Sequence, residues 1–159
     1  MCILSRAIVK ITRRSKQALY EKGHQEGDYE TAVEYWTKAA ALGDAQANYQ
    51  LSIMYLEKDD EQRLYHLEQA AIGGHPTARY NLGIIERNSG NFERARKHSI
   101  IAANLGYHNS LKLLRKLYAD GHASKEDYAD ALRAYQAAMD ETKSAQRKEA
   151  EEAIKNGLW

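Results

Sequence analysis

Residues 69–82 read QAAIGGHPTARYNL, and two other stretches nearly repeat them: KAAALGDAQANYQL at 38–51 and IAANLGYHNSLKLL at 101–114. Gly43, Gly74 and Gly106 stand 31 and 32 residues apart, and Leu51, Leu82 and Leu114 each follow the glycine by eight. Midway sit the small residues Ala47, Ala78 and Ser110. A period of this length marks a helix–turn–helix unit whose apolar face is buried only by stacking on its neighbours. One more step of 32 back from Leu51 reaches Leu19, which predicts a fourth, degenerate unit.

Each fixed point has a mechanical reason. The Ala-Ala pair ends a helix that packs closely, and the glycine supplies the left-handed residue that stops it. Asp44 then caps the next helix, and Pro76 falls in a first turn, where its missing N–H costs nothing. The small residue and the leucine four later share one helix face. The other helix of each unit is written in GDYETAVEYWTKAA (27–40), GNFERARKHSIIAA (90–103) and KEDYADALRAYQAA (125–138), where Tyr29, Phe92 and Tyr128 precede Ala32, Ala95 and Ala131 by three. Asp28, Asn91 and Ser124 are the expected N-caps. DDEQRLYHLEQAA (59–71) fills the same slot with a shortened loop and neither marker. The pattern predicts helices over 3–22, 29–42, 45–57, 60–72, 76–88, 92–105, 108–119 and 125–155, the last with a polar helical tail over 141–159.

The pattern Ala-Ala-x-x-Gly-x-x-x-small-x-x-x-Leu resembles the Sel1-like repeat, a relative of the tetratricopeptide repeat, over residues 16–140. GDYETAVEYW and GNFERA suit either family, and the units are short for Sel1-like ones. The resemblance implies an all-α, right-handed superhelix (an α-solenoid) of about four antiparallel helix-pair repeats with a long C-terminal helix. It also implies a role in scaffolding other proteins, with no cofactor.

Composition narrows the function classes. Lys+Arg 23 against Asp+Glu 22 steers no polyanion. The single cysteine, Cys2, rules out an internal disulfide framework and fits a reducing compartment. No run approaches the 18 apolar residues of a membrane span, and no Asn-x-Ser/Thr acceptor argues for secretion. Residues 1–20 carry five bases (Arg6, Lys10, Arg13, Arg14, Lys16) and no acid, with Leu4, Ala7, Ile8, Ile11, Ala18 and Leu19 at roughly helical spacing. Two readings fit this basic amphipathic helix over 1–22. It is a capping or first-repeat helix with a solvated basic face, or it is a transit-like segment that addresses the chain or touches a membrane surface. The expected location is intracellular, cytoplasmic or organellar.

The chemistry of sites is sparse. His24, His66, His75, His98, His108 and His122 fall in different units, with no His-x-x-x-His pair. The lone Glu-x-x-His at Glu21–His24 has a glycine inside it, and carboxylate-bridged metal bundles need two such motifs and two more carboxylates. No phosphate-cradling glycine loop follows a strand, and no Gly-x-Ser-x-Gly elbow is present. Cys2 has no evident base beside it. The expectation is therefore no enzyme activity, no cofactor, no metal and no small-molecule substrate. A repeat code for nucleic acid needs polar readers at one position in every unit, whereas that position runs from Gln to Tyr to Lys, so no nucleic-acid partner is expected.

What remains is a surface. At about 100° per residue, Ala47 and Leu51 fall on one side of their helix, and Tyr49 and Ile53 on the other. Ala78 and Leu82 against Tyr80 and Ile84 repeat the division. A helix apolar on two sides is either sandwiched by neighbours or shows one side to a partner. Equivalent positions carry Gln17 and Glu21 in the first unit and Lys112 and Lys116 in the fourth. Tyr49, Ile53, Tyr80, Ile84, Lys112 and Lys116 are thus the candidate partner-binding residues, on the concave face of a protein-interaction scaffold or adaptor. The rival reading is a structural subunit or assembly factor of an organellar or membrane-associated complex, docked or targeted through residues 1–20.

Overall fold

The computed structural model describes residues 18, 21, 29–56 and 59–155. Of the helix expected over 3–22 only residues 18 and 21, both helical, are described; the fourth-unit Leu19, Gln17, His24, the cap Asp28 and residues 156–159 of the expected tail lie outside the described residues. Within them every regular element is a helix: α1 (Tyr29–Ala41), α2 (Ala45–Met54), α3 (Asp60–Ile72), α4 (Pro76–Asn88), α5 (Phe92–Asn104), α6 (His108–Ala119) and α7 (Lys125–Lys155). The protein is all-α, and none of these helices is long and apolar enough to cross a membrane.

The helix ends follow from local chemistry. Gly43, Gly74 and Gly106 hold φ of +78°, +88° and +80°. At each, the glycine N–H donates three residues back (to Ala40, Ala71 and Ala103 O) and the next N–H donates five back (to Ala39, Ala70 and Ala102 O). This is the Schellman closure, which satisfies carbonyls that the helix leaves over. Gly90 and Gly121 close α4 and α6 in the same way, at φ +78° and +80°. At the other ends, Asp44 accepts from Ala47 N–H at 2.8 Å, and Asp59 accepts from the N–H groups of Glu61 and Gln62, each at 3.0 Å. Ser124 caps α7 reciprocally: its Oγ accepts from Asp127 N–H at 2.9 Å, while its own N–H donates to Asp127 Oδ2 at 2.8 Å. Those bonds from Ser124, with Arg96 adding to them, hold the Asp127 carboxyl below its usual range. Asn91 departs from expectation. It stands at the cap position without a capping bond, and its amide donates to Glu86 Oε2 instead, at 2.8 Å.

α2 ends at Met54, three residues short of the expected 57. Asp59 has to be extended (φ −157°) to cap α3, so the chain leaves the helix beforehand, and Asp59 N–H bonds back to Tyr55 O at 3.1 Å.

The chain divides into two compact units between Asn81 and Leu82, inside α4. In the first, α2 packs on α1 and on α3. Its core is mostly alanine (Ala32, Ala39, Ala47, Ala70, Ala71 and Ala78) around Leu51 and Leu67, which are 1% and 2% exposed. Small side chains let backbones approach: a Cβ on Gly73 would stand 2.6 Å from that of Ala45. In the second unit α5, α6 and α7 pack on one another around Ala103, Leu111, Leu114 and Ala131, with Ile100, Tyr128, Leu132 and Tyr135 against them. Here the close approach is at Gly83 of α4, whose missing Cβ would lie 3.3 Å from Leu113 Cδ2 and 3.4 Å from Ala95 O. Residues 141–152 of α7 are exposed all round.

Candidate partner-binding surface

The candidate side chains alternate with the core positions of the same helices. Leu51 (α2), Leu82 (α4) and Leu114 (α6) are buried, as are Ala47, Ala78 and Ser110. On the same helices none of the six candidates is buried. Tyr49, Tyr80 and Ile84 are half-buried, Ile53 is 47% exposed, and Lys112 and Lys116 are exposed. Tyr49, Ile53 and Tyr80 belong to the first unit, and Ile84, Lys112 and Lys116 to the second. Glu21, at the first unit's equivalent position, is exposed.

Tyr49 is positioned by a histidine from the next helix pair. Its ring stacks on His75, with centroids 4.2 Å apart and planes 19° from parallel. His75 precedes Pro76, the first residue of α4, and acts as that helix's cap: Nδ1 accepts from Ala78 N–H at 3.2 Å. The ring proton therefore sits on Nε2, which donates to Gln46 Oε1 of α2 at 2.8 Å. Burial lowers the pKa of His75, with Asp44 opposing in part. One neutral imidazole thus joins α2 to α4 and fixes one face of Tyr49, leaving the ring half-buried.

A second concave feature of the first unit is a cleft of about 320 Å³ between α1 and α3, lined by Thr37, Ala40, Tyr65, His66 and Ile72 among others. At its floor His66 Nδ1 donates to Asn48 Oδ1 at 2.9 Å, the Asn48 amide being committed to Asp44 O at 2.9 Å. His66 also stacks on Tyr55, and burial lowers its pKa. Tyr65 and Ile72, 54% and 71% exposed, rim the cleft. No periodic marker pointed to them, because α3 lacks the aromatic and alanine of its counterparts.

The remaining histidines with described contacts also serve packing. His122 stacks on Phe92 at 3.6 Å between centroids, and His108 lies against Tyr135. Among the described residues no three His, Cys, Asp or Glu side chains converge as a metal would require.

On α6 the structure adds a residue to the candidate surface. Arg115 is exposed between Lys112 and Lys116. Stepping by 31 or 32 residues from Tyr49 and Ile53 lands on the two lysines and skips Arg115, whose counterparts Ser52 and Gly83 are buried. The signal available was simpler: KLLRK contains three bases and no acid. Compared with known proteins, the chain matches no family model and no curated protein.

Proposed function

We propose that this chain is a non-enzymatic scaffold or adaptor whose helix pairs, about four and Sel1-like or tetratricopeptide-like, stack as a right-handed superhelix and hold a protein partner on the concave face. One observation carries the reading. Tyr49, Tyr80 and Lys112, and likewise Ile53, Ile84 and Lys116, recur at steps of 31 and 32 residues on α2, α4 and α6, and none of the six is buried although their leucine neighbours are. Core demand explains the leucines and leaves these side chains to be explained. Half-buried aromatics and branched apolar groups at fixed spacing are the kind of anchors that dominate protein interfaces, since they release ordered water with little loss of side-chain freedom.

The test compares proteins captured from native extract by the immobilised wild-type chain and by Ile53→Ala/Lys116→Ala. Both residues are exposed, so thermal stability should shift little. Binding of at least one partner is expected to weaken about tenfold or more, as loss of an interface anchor does. If the double variant retains every protein that the wild type captures, these helices do not form the partner surface.

A further inference from the structure

We propose that the exposed face of α6 binds an acidic segment of a protein, through side-chain carboxylates set on Lys112, Arg115 and Lys116. The inference rests on the reading of the chain as a protein-binding scaffold and names the chemistry of one partner site.

α6 is divided cleanly. Ser110, Leu111, Leu113, Leu114 and Leu117 are buried, while Lys112, Arg115 and Lys116 are exposed. At about 100° per residue the three cations fall within an arc of roughly 100° opposite the buried side. The helix holds no acidic residue. Among the described residues none of the three cations makes an ion pair, including Lys116, although Asp120 follows it by four. Elsewhere the molecule is mixed: among the described residues Arg79, Arg87, Lys125, Lys143, Arg147, Lys148 and Lys155 also make no ion pair, whereas six other cations do. Lys38, Arg63, Arg94, Arg96, Lys97 and Arg133 each lie against a carboxylate. On α5, the neighbour of α6, all three Arg and Lys side chains are neutralised in this way.

Like charges three and four residues apart on a helix repel by a few tenths of a kcal/mol per pair. Lys112 with Arg115 and Lys112 with Lys116 are two such pairs, so the free face carries a repulsion that a carboxylate ligand would relieve. Arg115 offers a planar fork that takes a carboxylate bidentately, and the lysines flank it as point charges. Lys112 and Lys116 are separated by about 6 Å along the helix axis, a spacing matched by acids four apart on a helix or two apart on a strand. The footprint is one turn of one helix, on a chain of net charge +1. A nucleic acid needs a longer track of cations, so an acidic peptide is the better fit.

The experiment measures binding of a fluorescein-labelled, C-terminally amidated hexaglutamate peptide to the full chain at low salt, with labelled oligothymidylate of equal charge beside it. Amidation removes the terminal carboxylate as a source of binding. Expected are saturable binding of hexaglutamate that weakens as salt rises, a loss of about tenfold in Lys112→Gln/Arg115→Gln/Lys116→Gln, and a partial loss in Arg115→Lys, with melting temperatures unchanged. No binding by the wild type, equal binding by the triple variant, or tighter α6-dependent binding of oligothymidylate would overturn the proposal. The Ile53→Ala/Lys116→Ala capture experiment is scored separately. Partners lost there while hexaglutamate fails to bind would leave the scaffold reading standing and remove this one.

Discussion

Gly74 holds φ +88° with nothing within 4 Å of where a Cβ would stand, whereas its neighbour Gly73, at φ −69°, would set a Cβ 2.6 Å from that of Ala45. Gly74→Ala should therefore cost about 1–2 kcal/mol through left-handed strain alone, and Gly74→Asn less, because asparagine tolerates that region. At Gly73 the order reverses. Alanine clashes with a rigid methyl group at the α2–α3 contact, and asparagine, being larger, should be worse. Chemical denaturation of the four variants checks this, and a milder effect for Asn than for Ala at both positions would refute the assignment. The next residue, His75, predicts a pH dependence. Burial lowers its folded pKa below 6.5, so the unfolded chain binds the proton more readily, and stability falls as pH drops through and below 6.5. Geometry agrees, since a proton on Nδ1 removes the acceptor for Ala78 N–H and puts positive charge at the positive end of α4. His66 shifts in the same direction, while Asp127, held below 3.8, loses its contribution only in stronger acid. The melting temperature should fall between pH 7.5 and 5.5, and His75→Asn, which keeps a neutral cap, should flatten part of that fall. An unchanged slope in His75→Asn would remove His75 from the account.

At the scale of the helix, α3, α4, α6 and α7 end where the sequence pattern places them, and most of these limits are set by local groups: a capping Asp59, Pro76 or Ser124 where α3, α4 and α7 begin, and a left-handed glycine where α3, α4 and α6 end, while α6 starts after Tyr107, which makes no capping bond. The pattern was weaker where the limit of one helix depends on the start of the next. α2 stops early because Asp59 is claimed by α3, a competition between neighbouring elements that helix propensity does not express. Gly90 and Gly121 serve the same closure as the three repeat glycines, yet they fall in loops between the paired helices, where no recurring alanine pair drew attention to them. Of the candidate surface, periodicity separated Tyr49, Ile53, Tyr80, Ile84, Lys112 and Lys116 from the buried leucines of the same helices, three of the six being half-buried and three exposed. It could not show that Tyr49 leans on His75, because that contact joins side chains 26 positions apart. Nor could it reveal Arg115, where the counterparts are buried and α6 alone turns the position outward.

At the scale of the molecule, the division between Asn81 and Leu82 falls inside α4 rather than in a loop, so one helix supplies side chains to both compact units. Each unit has a buried leucine of its own away from that shared helix: Leu67 on α3, 2% exposed, and Leu117 on α6, fully buried. Truncating either to alanine removes comparable apolar volume and should cost about 2–5 kcal/mol. Where the cost appears is the informative part. Proteins open in contiguous cooperative groups, and amide exchange reports the free energy of the smallest opening that exposes each N–H. Leu67→Ala is expected to speed exchange in α2 and α3 before α6, and Leu117→Ala to speed it in α5 and α6 before α3. α4 should respond to both, its N–H groups before Asn81 following the first variant and those after Leu82 the second. Native-state hydrogen exchange with mass spectrometry resolves these segments. Uniform acceleration along the whole chain in both variants would mean that the two units open as one, and the division at Asn81 would then describe contacts without describing cooperativity.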